Sequence, residues 1–151
     1  MSQKKTLSKK AVKLFDEGYN CAQSVLMTMC EHWKIRSDIV PEIATAFGAG
    51  IGRCGSVCGA LTGGVMAIGA KFGTDEPSVG KRMKSYTLAR TLYERFEGMH
   101  GSVLCRELIG YRLSVPEERE KAYQDKVFDK ECRVFVGTTI EILIDAAEAS
   151  S

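Results

Sequence analysis

Apolar residues recur along most of this chain at intervals of three and four, the spacing of one helix face. Leu7, Ala11, Leu14, Phe15, Gly18, Ala22, Val25, Leu26 and Met29 form the first such series. Asn20 stands three residues before Gln23, as in a capping box, and Gly18 suits the end of a preceding turn. The series therefore divides into two helices if the second starts at Cys21. Further helices are predicted over 41–47, broken by Gly48, Gly50 and Gly52, and over 57–72, closed by Gly73. The next covers 77–98, with Met83, Leu88, Leu92 and Phe96 at apolar positions, and a short one covers 103–109. Another starts at Pro116, and the last runs over 130–147 with Val134, Ile140, Leu143 and Ile144 available to a core. Pro41, Pro77 and Pro116 each stand where a helix can begin. Val134-Phe135-Val136 is β-prone, but its surroundings are helical. The expected fold is all-α, a single-domain bundle of about six to seven helices spanning 1–151.

Composition narrows the function classes. A chain of 151 residues can bury a sizeable core without disulfides. Its 21 basic residues nearly balance 19 acidic ones, so nucleic acid is not expected as a partner. Lys4, Lys5, Lys9 and Lys10 form a basic run that reads as a solvated arm or a first helical turn. The opening segment is polar and lacks the apolar stretch of a secretory signal. The uncharged run between Arg53 and Lys71 is slightly short for a membrane span and holds five glycines, so a buried helix is expected. These features predict a cytoplasmic protein with no membrane partner. The glycine-rich helix suits a homodimer interface as well as a core.

Six cysteines then change the picture. In a reducing compartment such a set points to metal binding or thiol chemistry, not to a disulfide frame. Cys30 reads as a small buried apolar residue. Four others fall at predicted helix starts. Cys21 follows Asn20, and Cys58 follows a candidate cap at Ser56. Cys105 and Cys132 lie three residues after candidate caps at Ser102 and Asp129. Free N–H groups and the positive dipole end at such positions favour a thiolate, so lowered thiol pKa values are expected. Cys54 and Cys58, four apart, are a weak metal or redox pair, and Gly55, Gly59 and Gly63 recur at helical spacing and suit close backbone approach. Gly50 to Gly55 formally matches G-x-G-x-x-G, but no strand precedes it, which excludes a dinucleotide loop. His32 and His100 form no ligand pair and read as surface residues, although His100 stands near enough in sequence to Cys105 to assist a thiol.

Gly18-Tyr19-Asn20-Cys21-Ala22-Gln23, then Cys58-Gly59-Ala60-Leu61-Thr62-Gly63, then two isolated downstream cysteines resemble the C_GCAxxG_C_C family, which is named for its cysteine pattern and taken to be redox-active. The resemblance spans nearly the whole chain. It places the defining cysteines at Cys21, Cys58, Cys105 and Cys132 and leaves Cys30 and Cys54 outside. It names neither reaction nor cofactor. The leading expectation is that these four ligate an iron–sulfur cluster for electron transfer with a partner protein of unknown identity. The alternatives are a metal-free thiol–disulfide or sensing protein and a structural zinc or assembly module. No catalytic residue is assigned. The four cysteines are expected in one pocket, each in or just before a first helical turn.

Overall fold

Hydrogen bonding and burial turn this pattern into a helical body. The computed structural model describes residues 2–149. Among them are seven right-handed α-helices and no strand: α1 (Gln3–Asp16), α2 (Cys21–His32), α3 (Gly59–Phe72), α4 (Val79–His100), α5 (Cys105–Ile109), α6 (Pro116–Gln124) and α7 (Arg133–Ala149). The all-α expectation holds. So does the break at Gly18, whose φ of 114° ends one helix and lets Asn20 begin the next. Asn20 and Gln23 form a complete capping box, each side chain accepting from the other's backbone N–H.

Several predicted elements change, and the helices expected from 77 and 103 begin at Val79 and Cys105. The stretch 41–47 is a 3-10 turn (Glu42–Phe47) and not an α-helix. The helix expected from 57 begins two residues later, because Val57 pairs with Leu104 in an isolated antiparallel bridge. The last helix is preceded by a π-helical turn, Phe128–Cys132. Its backbone runs on into α7 with right-handed helical angles on both sides, so no N-terminus separates the two.

One apolar core unites the helices. α3 lies against α2 at close range, because Gly63 faces the backbone of Ala22, where a Cβ would come within 2.6 Å of the carbonyl oxygen. α4 covers α3 and α7 with Leu88, Leu92 and Phe96. α1 runs along α7, where Ser8 donates to the Gly137 carbonyl at 3.1 Å. Lys4–Asp145, Lys5–Glu141 and Arg133–Asp16 pair across that seam at 2.8–3.2 Å. The basic N-terminal run is thus part of a docked helix. Ser24, Thr28 and Thr139 are buried but donate to carbonyls one turn back at 2.8 Å, so they carry no unpaired hydroxyl. Met83, predicted at an apolar position of this helix, is 47% exposed. Among the described residues no helix is long and apolar enough to cross a membrane.

Candidate functional site

The site begins with two helix starts. Asn20 caps α2 and also donates through its side chain to the Thr45 carbonyl at 2.8 Å, while Gln23 donates to the Thr45 hydroxyl at 3.0 Å. The capping box therefore clamps the turn that precedes residue 48 and holds Cys21 at the first position of α2. Cys58 is the N-cap of α3. Gly59 follows it, and a Cβ there would collide with the Cys21 sulfur and come within 3.0 Å of the Phe47 carbonyl. The two helix starts meet at a position only glycine can fill.

Cys105 reaches the same place by a different route. Around the Val57–Leu104 bridge, Cys58 N–H donates to Val103 at 2.8 Å, Cys105 N–H to Ser56 at 2.7 Å and Arg106 N–H to Gly55 at 3.1 Å. Ser56, predicted to cap a helix, instead gives its carbonyl to this ladder. Ser102 accepts from Leu104 N–H at 3.0 Å in a local turn, and Cys105 is the first residue of α5 instead of lying three residues in. Asp129 caps nothing.

A left-handed turn closes the wall. Ala49, Gly50, Ile51, Gly52 and Arg53 all have positive φ, between 54° and 71°. Successive left-handed residues cost L-amino acids about 1–2 kcal/mol each, a cost Gly50 and Gly52 escape. The turn is held by long-reach backbone bonds from Gly52 to Ala46, Gly55 to Ala49 and Ser56 to Gly50, at 2.9, 3.3 and 2.9 Å. Gly50 presses against Cys105, where a Cβ would stand 2.8 Å from that of the cysteine and 2.6 Å from Ser56 N.

Cys21, Cys58, Cys105 and Cys132 all line one cavity of about 390 Å³. Its floor includes the buried Cys58, Cys105, Gly50, Gly59, Ile109, Leu113 and Phe135. Its exposed rim includes Gly18, Tyr19, Tyr123, Lys126 and Asp129. All four cysteines carry free thiols. Cys132 joins from the π-helical turn, a distortion frequent at functional sites, and not from a helix N-terminus as expected. Cys30 is buried in α2 away from the cavity, as expected, and Cys54 is exposed outside it. His100 is not a surface residue: it is half-buried edge-on to Phe96 and Phe135, with ring centroids at 4.7 and 4.9 Å. Its Nε2 has no partner, and burial lowers its pKa. Among the described residues, no three His, Cys, Asp or Glu side chains stand close enough to share one metal ion.

The thiol pKa values run opposite to the helix-start expectation. Burial pushes Cys105 up to about 11, with repulsion from Cys21 adding to it. Cys58 and Cys132 rise further, first by burial and then by the neighbouring cysteines. Cys21 rises by burial although the amides of Ala49, Ala22, Ala60 and Cys21 itself oppose the rise. The Ala60 and Leu61 amides oppose it at Cys58 but stop short of a formed cap hydrogen bond. Neutral sulfur is a weak acceptor, and these contacts strengthen once it is an anion. Desolvation in the apolar cavity outweighs the helix ends, and at Cys58, Cys105 and Cys132 repulsion from neighbouring sulfurs adds to it.

A family model described as "Putative redox-active protein (C_GCAxxG_C_C)" matches residues 19–146. The chain belongs to the C_GCAxxG_C_C family. A chain of Archaeoglobus fulgidus named "Uncharacterized protein" is 26% identical over 117 residues, covering 72% of this chain and 77% of its own length. No solved structure matches. The C_GCAxxG_C_C pattern acquires a physical meaning from the geometry. Its first cysteine and its Cys-Gly-Ala-x-x-Gly segment are two sides of one contact, in which Gly59 makes room for the Cys21 sulfur and Gly63 for the Ala22 backbone. Ala49, Gly50, Tyr123, Lys126 and Phe128 also line the cavity, and the sequence does not single them out for that role. Only the alternation Gly48-Ala49-Gly50-Ile51-Gly52 signalled any of them, and it reads equally as a helix breaker.

Proposed function

We propose that this protein is an electron-transfer protein that ligates an iron–sulfur cluster through Cys21, Cys58, Cys105 and Cys132. The observation that carries this reading is the convergence of four free cysteines, from four separate segments, on one largely apolar cavity. Four thiolates complete the ligand set of a [2Fe–2S] or [4Fe–4S] centre, and such a centre supplies one-electron transfer when bound. The amides directed at Cys21 and Cys58 would donate to ligand sulfur, and the apolar walls would limit water. Thiols held neutral by burial and mutual repulsion suit a site that releases protons on metal binding.

Four sulfurs around a single zinc, at about 2.3 Å from the metal, would stand about 3.8 Å from one another. Among the described residues no three such side chains are grouped to hold one metal ion, whereas the ligands of a cluster bind separate iron atoms. Metal-free exchange with a partner disulfide is less well supported, because it needs an accessible thiolate and Cys58 and Cys105 are buried with raised pKa values. Anaerobic purification followed by iron and acid-labile sulfide assays tests the proposal. Brown protein whose iron is lost in Cys21→Ser and Cys132→Ser is the expected result. Colourless protein without iron after anaerobic reconstitution would refute it.

A further inference from the structure

The left-handed turn is the most strained segment described, and strain of this kind persists where the surrounding structure imposes it. Its placement suggests what it is for. Ala49 and Gly50 line the sulfur cavity beside Cys21 and Cys105. Gly50 leaves no room for a methyl group between Cys105 and Ser56. Ser56 in turn accepts the Cys105 N–H at 2.7 Å and donates to Gly50 at 2.9 Å, so turn and cysteine share one hydrogen-bonded strip. At the other end, Asn20 and Gln23 tie Thr45, just ahead of the turn, to the start of α2 that carries Cys21. A right-handed turn over 49–53 would break all three long-reach bonds and withdraw this wall.

We propose that the turn 49–53 is a positioning element of the sulfur site, holding Cys21 and Cys105 in register through the Ala49 amide and the Gly50 contact. The proposal deepens the iron–sulfur reading, and rests on it only for the loaded protein. Gly50 and Gly52 separate positioning from plain stability. Both need positive φ, so Gly50→Ala and Gly52→Ala carry similar backbone strain. A Cβ at 50 enters the strip between Cys105 and Ser56, whereas a Cβ at 52 meets nothing within 4 Å.

The first measurement uses metal-free, full-length protein and pulse alkylation resolved by mass spectrometry, with the buried Cys30 as an internal clock for global opening. In Gly50→Ala, Cys21 and Cys105 should alkylate about tenfold faster relative to Cys30, as expected for loss of a hydrogen-bonded contact. In Gly52→Ala, which strains the turn without entering the strip, the ratio should rise clearly less. Equal ratios in both variants would overturn the proposal, whether or not the protein binds iron. If Gly50→Ala does not fold, replacing Ala49 with lactic acid removes its N–H and keeps its methyl group, and the same change in the Cys21 ratio is required. In reconstituted protein this ester should lower the reduction potential and speed iron loss to a chelator, while an ester at exposed Ala70 should do neither. An unchanged potential in the Ala49 ester counts against the proposal. A chain that passes the alkylation test yet takes up no iron overturns the cluster reading and supports the turn's role in holding the sulfurs.

Discussion

Three glycines of α3 make a matched series. Gly69 is exposed, and a Cβ there meets nothing within 4 Å, so Gly69→Ala should gain only the helix propensity of alanine, about 0.8–1 kcal/mol. Gly63→Ala carries the same gain but drives a methyl to 2.6 Å from the Ala22 carbonyl oxygen and 2.9 Å from its Cα. Both obstacles are backbone of a packed helix, so α2 and α3 must separate. Overpacking of this kind costs about 1–3 kcal/mol, which leaves a net loss of up to about 2 kcal/mol once propensity is credited. Gly59→Ala meets the Cys21 sulfur and the Phe47 carbonyl instead, so its strain falls on the site. Urea unfolding followed by helical circular dichroism should rank Gly69→Ala above wild type and Gly63→Ala below it, with unchanged slopes. Gly59→Ala should in addition lower iron uptake more than its stability loss accounts for. A Gly63→Ala variant as stable as Gly69→Ala would show that α2 and α3 do not approach this closely.

Two further predictions follow from the same geometry. Asn20→Ala removes the α2 cap and the tie to Thr45, and should cost about 1–2 kcal/mol in urea titration; Asn20→Asp keeps the cap acceptor but not the donor to Thr45, and should recover part of the loss. For pH, the native Cys105 thiol titrates at about 11 against 9.0 in the unfolded chain, so between these values the native state binds more protons and the metal-free protein loses stability as pH rises, by up to about 1.4 kcal/mol per pH unit for each such thiol. Denaturation midpoints measured from pH 8 to pH 11 should fall through this window, and a flat profile would contradict the burial of these groups.

What could be read from the residues divides along a physical line. The capping box at Asn20 and Gln23, the proline at the start of α6 and the glycine spacing of α3 are local chemistry and needed no tertiary knowledge. The four site cysteines were also legible, through the family pattern. Helix starts near the site were misplaced by two or three residues because Ser56, Val57, Val103 and Cys105 spend their backbone groups on one another across the chain. No local signal announces such a partner. The left-handed turn was invisible for a related reason. Ala49, Ile51 and Arg53 have no intrinsic preference for positive φ, and the turn that holds them there is closed by bonds from Gly52 to Ala46, Gly55 to Ala49 and Ser56 to Gly50.

The sign of the thiol pKa shifts shows why a correct local argument can give the wrong global answer. A helix N-terminus does oppose the rise at Cys21 and Cys58, as the sequence implies. That effect is confined to the first turn, while the cost of four sulfur charges in one apolar cavity grows with every cysteine the fold brings in. Local dipoles can then stabilise ligand sulfur only after a counter-charge enters the cavity. Under the iron–sulfur proposal, the amides of Ala49, Ala60 and Leu61 would act on the metal-bound state and leave the metal-free thiols neutral. Since Gly59 and Gly63 bring two of the cysteine-bearing helix starts together, altering these glycines disturbs sulfur geometry with all four thiols present. Serine substitution does the reverse, removing a ligand while keeping the helix contact. The two sets of variants together separate the chemistry of the site from the packing that assembles it.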